Sequence, residues 1–240
     1  RPVLAHVVDL LLSPSPSMAK GLRTTPAKLG LAVREVALEL RRLIAGDLAG
    51  MFDGQSTFSI DWRGPGVVID LSPIYESPAA LAPTMVAAGA WLAELLASAG
   101  PQRYLVLDEV WRVLADRGVA TWVRSTMKLA RSLGAAVVLI THTLGDFDTI
   151  GHAGSEAARV SEALVADTAT RVVMSQPDAA VELTRSQLGL TSREAELLPG
   201  LAKGRALWHV GARDVALVRH MMPPEVLELT DTDQRMTGRR

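Results

Sequence analysis

The sequence predicts an α/β protein: a layered, mostly parallel sheet flanked by helices, with an all-helical segment at its N-terminus. Three observations carry this reading. Tyr104–Leu107 and Ala135–Ile140 are short apolar runs without a break, the pattern of strands covered on both faces. Longer stretches with apolar residues every three or four positions alternate with such runs along most of the chain. Over the first fifty residues, by contrast, only the helical period is present.

In chain order, residues 1–12 read as the end of a helix and Ser13-Pro-Ser-Pro-Ser17 as a loop by composition. From Ala27 to Leu48, the residues Leu29, Val33, Val36, Leu40, Leu43 and Ile44 fall on one helical face, with Arg34, Glu35, Glu39, Arg41 and Arg42 mostly off it. A turn cluster follows at Gly50, Asp53-Gly54 and Ser56. Thr57–Trp62 and Val67–Leu71 are expected strands, divided by Arg63-Gly-Pro-Gly66. Leu81–Ala99 is an expected helix closed by Gly100-Pro101. The strand at Tyr104–Leu107 leads into two helical patterns, around Val110–Ala115 and Val119–Leu133, before the strand at Ala135–Ile140. Further on come a helix at Glu156–Val165, a strand at Arg171–Met174 and a helix at Ala179–Gln187. Thr191 and Glu194 have the spacing of a capping box, which opens a short helix. Ala206–Val210 and Val215–Arg219 form an expected hairpin across Gly211-Ala-Arg-Asp214. Met221-Met-Pro-Pro224 reads as a terminating turn, and the polar residues from Asp231 onward as a loose end. There is no internal repeat.

Composition narrows the function. The 240 residues, 48% hydrophobic, suit one large domain, or one domain with a helical annex. Lys and Arg number 25 against 26 Asp and Glu, a net charge of −1, and the basic residues are spread along the chain. A protein that holds nucleic acid through phosphates shows a basic stripe, so charge does not support DNA as a direct partner. The absence of cysteine excludes a disulfide scaffold, thiolate chemistry and cysteine-based zinc sites. His6, His142, His152, His209 and His220 show no paired metal-ligand spacing. No signal peptide opens the chain, and the start at Arg1-Pro2 leads us to expect a piece of something longer. Leu81–Ala99 is interrupted by Pro83 and Glu94, so no membrane span is expected, and a soluble intracellular protein is.

The strongest local signal is Tyr104-Leu-Val-Leu-Asp108-Glu109, a buried strand that delivers two carboxylates at its C-terminal edge, where ligands sit in open α/β sheets. In P-loop NTPases the Asp at such an edge helps hold Mg2+, and a following Glu polarises the attacking water as general base. The plainer reading is a strand ending in two solvated acids that open a helix. A second apolar strand ends in Thr141-His142, 34 residues after Asp108. If the two strands are parallel and adjacent, Thr141 and His142 land on the same edge, where a polar side chain can contact a γ-phosphate or the attacking water. Otherwise His142 is a strand-end histidine packed in a loop. No G-x-x-x-x-G-K followed by Ser or Thr occurs, and Lys20-Gly21 and Lys203-Gly204 lack its flanking residues. Either the chain binds no nucleotide, or the phosphate cradle lies upstream of Arg1; the Met-less start favours the second.

Taken in order, Gly50-Met-Phe-Asp-Gly54 with Ser56-Thr57, Val67-Val-Ile-Asp70-Leu-Ser72, Tyr104 to Leu114, Arg131 to His142, Thr170-Arg-Val and Gly204-Arg-Ala-Leu-Trp208 resemble the VirB/Tra-type conjugation ATPases of type IV secretion systems. These belong to the FtsK–HerA branch of RecA-like P-loop NTPases. The resemblance covers most of residues 50–220. It implies an inserted helical subdomain that residues 1–49 would belong to, a RecA-like core lacking its phosphate loop over 50–222, and a tail over 223–240. It implies ATP and Mg2+ as ligands, with Asp108 the Mg2+-linked acid, Glu109 the catalytic base, and Thr141 and His142 beside the nucleotide. Relatives commonly carry Gln at position 142; a histidine still donates or accepts a hydrogen bond but changes charge near neutral pH. It further implies a homo-hexamer in which an arginine reaches the neighbour's γ-phosphate, with Arg131, Arg124 and Arg171 as candidates. Partners would be membrane-embedded channel subunits and a coupling protein, and the location cytoplasmic, at the inner face of the cell membrane. Trp111 reads as a packing residue.

Three rivals stand beside this. An ABC-type ATPase also pairs a strand ending in Asp-Glu with one ending in Thr-His, but Ala80–Arg103 holds no Leu-Ser-Gly-Gly-type signature. A nucleotide-free RecA-like docking module would explain the missing phosphate loop. A DNA-translocating motor shares the fold, which by itself does not separate such uses.

Overall fold

The computed structural model describes residues 2–57, 64–98, 100–114, 117–142, 144–145, 156–211 and 214–230. It divides into two units, Arg1–Ser98 and Ala99–Arg240.

Among the described residues of the first unit the regular elements are all helical: α1 (Leu4–Leu12), α2 (Pro16–Gly21), α3 (Pro26–Ile44) and α4 (Pro78–Ala97), with short 3-10 turns at Gly46–Leu48 and Ser72–Ile74. α1 packs on α3, with Val8 and Ala37 fully buried. The apolar stripe of α3 is half-buried at Leu29, Val33, Leu40, Leu43 and Ile44, whereas Val36 is exposed. The stretch read as a Ser-Pro loop instead opens a helix: Ser15 caps α2 by accepting from the Met18 N–H at 3.3 Å, and Pro16 takes the first helical position, where it has no donor to lose. Thr25 and Pro26 repeat the device at the start of α3.

Of the two strands expected here, residues 58–62 of the first lie outside the described residues. The second, Val67–Leu71, is not a strand. Val68 is 94% exposed, and the chain instead turns at Asp70, whose Oδ1 accepts from Ser72 N–H at 2.9 Å and Ser72 Oγ at 2.5 Å. The Ser72 hydroxyl, and after it the Ser72 N–H, hold the Asp70 carboxyl below its ordinary range. β-Branched residues gave the strand signal, but local Asx capping decides the conformation. The helix expected at Leu81–Ala99 is present as α4, which starts at Pro78 and runs through Pro83 for 20 residues. By length and composition alone α4 suffices to cross a membrane, a test that core helices of soluble proteins also meet.

The second unit holds β1 (Arg103–Leu107), α5 (Val110–Leu114), α6 (Arg117–Leu129), β2 (Ala135–Leu139), α7 (Glu156–Asp167), β3 (Thr170–Val173), α8 (Asp178–Leu188), α9 (Ser192–Leu197), β4 (Arg205–Val210), β5 (Asp214–Arg219) and α10 (Pro224–Thr230). β1 and β2 pair in parallel, in register from Arg103↔Ala135 to Leu107↔Leu139. β3, β4 and β5 form a separate sheet that is antiparallel throughout, so among the described strands parallel pairing is confined to β1 and β2. Val110, Leu114, Val119, Ala120, Val123 and Leu164 are buried around α5, α6 and α7. A second core gathers Val173, Leu190, Leu198, Leu201 and Leu207 under the antiparallel sheet. Each such fully buried aliphatic side chain contributes about 1.5–3 kcal/mol. The capping box is present as expected, with Thr191 N–H donating to Glu194 Oε2 at 2.7 Å and Glu194 N–H donating to Thr191 Oγ1 at 3.3 Å. The Met221–Pro224 turn does not end the structure: Pro224 starts α10.

Candidate active site

Parallel pairing of β1 and β2 puts their C-terminal ends side by side, and the ladder runs on past both strands. Ile140 N–H donates to the Leu107 carbonyl at 2.9 Å, and the Ile140 carbonyl accepts from Val110 N–H at 3.0 Å. Asp108-Glu109 and Thr141-His142 are thereby held at one sheet edge. Only two residues separate β1 from α5, and the turn is tight enough that Glu109 adopts a left-handed backbone, φ +49°. For a residue other than Gly, Asn or Asp that conformation costs about 1–2 kcal/mol. Asp108 helps close the turn by accepting the Glu109 N–H on Oδ1 at 3.0 Å.

The Glu109 side chain is engaged at both oxygens. His142 Nε2 lies 2.6 Å from Oε1, and the Trp111 indole N–H donates to Oε2 at 2.9 Å. The carboxylate is 26% exposed and His142 80%, while the Trp111 ring is half-buried and Asp108 exposed. The site thus consists of one half-buried carboxylate clamped from two sides beside a second, solvated one. Trp111 was read from the sequence as packing only. The signal available was its place two residues after the acid, within the first turn of a helix that starts at the strand edge.

The three arginines are not part of this cluster. Arg131 follows α6, is exposed, and precedes β2 by four residues, which places it at the opposite edge of the parallel pair. Five strand residues at roughly 3.3 Å each separate the edges by about 17 Å. Arg124, on α6, pairs with Asp167 of α7 at 3.5 Å. Arg171, on β3, is occupied elsewhere: Nη1 donates to the Leu188 carbonyl at 3.1 Å, Nη2 to the Val165 carbonyl at 3.5 Å, and Nε to Thr168 Oγ1 at 3.4 Å. Leu188 and Val165 lie in the last turns of α8 and α7, where the helix dipole is negative; the Val165 carbonyl also accepts from the Thr168 N–H at 3.3 Å and the Thr168 hydroxyl at 2.6 Å. A groove between α8 and α9, about 500 Å3, contains none of the expected site residues. It is lined in part by Glu182 and Arg185, and their hydrogen bond at 2.6 Å lowers the glutamate's pKa and raises the arginine's.

No family model matches the sequence, and no curated protein does. Among solved structures the chain is similar to VirB4 of Thermoanaerobacter pseudethanolicus, with a TM-score of 0.71 and 16% identity over 95% of this chain. It spans 57% of the length of that VirB4 chain. At such identity the likeness is one of fold. The VirB/Tra-type resemblance read from the sequence is therefore met at that level: this chain folds as part of a VirB4 chain does.

Proposed function

We propose that this chain is the C-terminal part of a RecA-like, ATP-hydrolysing motor that powers conjugative transfer or type IV secretion. The observation that carries the reading is the meeting of Glu109 and His142, 33 residues apart in sequence, at the C-terminal edge of two parallel strands. Strand edges of this kind are where α/β sheets bind ligands.

Glu109 is the base that takes a proton from the attacking water. Its Oε2 accepts from the Trp111 indole N–H and its Oε1 lies against the exposed His142 imidazole, so the water reaches Oε1 by replacing that imidazole. Thr141 and His142 register the γ-phosphate from the same edge. Asp108 suits Mg2+, which takes oxygen donors and is commonly held by one or two carboxylates together with waters and substrate phosphates. Among the described residues no group of three or more His, Cys, Asp or Glu could hold a metal ion. Bound there, Mg2+ would neutralise charge on the phosphate oxygens. Arg131, exposed at the opposite edge, is the arginine we assign to a neighbouring subunit's γ-phosphate in a closed homo-hexamer, because head-to-tail packing brings opposite faces together. Channel subunits in the membrane and a coupling protein are the partners that go with this role, at the cytoplasmic face of the membrane.

A second reading, a docking module without nucleotide, is favoured by one observation: the phosphate-loop motif is absent from all 240 residues. ATP turnover by the natural full-length protein separates the two. Glu109→Gln should lower it by ~10²–10⁴ while nucleotide binding persists. Undiminished turnover in that variant removes Glu109 as base. No turnover in the parent, at concentrations that permit a ring, favours the docking module.

A further inference from the structure

We propose that Trp111 is a positioning residue for the Glu109 carboxylate, fixing Oε2 so that Oε1 alone is open to exchange; this rests on the assignment of Glu109 as base. Three features of the site support it. The indole N–H donates to Oε2 at 2.9 Å from a half-buried ring on α5. The other partner, His142, is 80% exposed and so a poor anchor. The Glu109 backbone is in the left-handed region, φ +49°, a costly conformation held by the same short turn that brings Trp111 beside its carboxylate.

The chemistry suits the task. An indole N–H only donates, so it holds a carboxylate oxygen without competing for the proton that the base must accept. A phenyl ring in the same place would fill much of the same space and offer no donor. With Oε2 tied to the scaffold, the carboxylate keeps one orientation while Oε1 trades His142 for water.

The test is made in the full-length protein. Trp111→Phe should lower kcat for ATP by roughly 10-fold to 100-fold, the worth of one hydrogen bond to a charged group, and leave KM for Mg-ATP unchanged. Combined with Glu109→Gln it should add no further loss, because the oriented carboxylate is already gone. A ring that only packs would cost stability, and its effect would add to that of Glu109→Gln. Unchanged kcat in Trp111→Phe, or additive losses in the double variant, overturns the proposal. Should the parent hydrolyse no ATP, the assignment of the base fails, and a second measurement decides the contact alone. The Trp111 indole 15N–1H resonance, identified by its loss in Trp111→Phe, should shift and exchange faster with solvent in Glu109→Ala. A resonance unmoved in shift and exchange overturns the proposal without reference to catalysis.

Discussion

Glu109 is the residue at which backbone cost and chemistry meet. Its φ of +49° belongs to a turn only two residues long, and the side chain it presents is bonded at both oxygens. Glycine adopts such a backbone freely, and alanine does not. Glu109→Gly should therefore unfold at a higher temperature than Glu109→Ala, by about 1 kcal/mol or roughly 2–4 °C for a chain of this size, although glycine destabilises most other positions. Calorimetry of the two variants reads this directly; an equal or reversed order would mean that the turn relaxes to an ordinary conformation. At this scale the sequence was informative about identities and silent about directions. Asp108, Glu109 and His142 were legible because unbroken apolar runs delivered them to strand ends. The left-handed turn and the indole bond were not, since neither leaves a compositional trace. The present partners of Arg171 were not legible for a related reason: an arginine's type says nothing of whether its donors are already engaged.

Among the elements, those defined by strong local chemistry matched expectation. The two unbroken runs became β1 and β2, the Thr191–Glu194 spacing became a capping box, and the segments around Gly211 became an antiparallel hairpin. Val67–Leu71 failed because β propensity needs a partner strand, whereas Asp70 had its own local partner in Ser72. α2 was missed because Pro-Ser repeats resemble a loop until one serine becomes an N-cap. Arg171 is the clearest link between elements, since it joins the C-terminal turns of α7 and α8 to β3. Arg171→Met, which keeps length and apolar stem but no donors, should lower the stability of the second unit by about 1–3 kcal/mol. Urea unfolding would register the loss as a lower midpoint. ATP turnover per folded molecule should hold, and a collapse of kcat at unchanged stability would instead return Arg171 to the nucleotide.

For the whole molecule, the placement of Arg131 relative to Glu109 makes the proposed ring testable. Arg131 stands at the N-terminal edge of the β1/β2 pair and Glu109 at the C-terminal edge, about 17 Å away by strand rise, so the two cannot serve one phosphate within a single chain. In the head-to-tail ring proposed above they would serve one phosphate from two chains. This predicts complementation in the full-length protein. Arg131→Ala and Glu109→Gln should each be nearly inactive alone, with the arginine worth ~10³–10⁵ in rate. Mixed in equal amounts and allowed to exchange, they should recover activity at about a quarter of the sites, the fraction in which random assortment around a closed ring sets an intact Glu109 beside an intact Arg131. Turnover that stays at the level of the separate variants, in rings shown to be mixed, would place Arg131 outside the neighbour's site. Arg124, held by Asp167 at 3.5 Å, would be the next arginine to test in the same way, with release of that ion pair as part of its action.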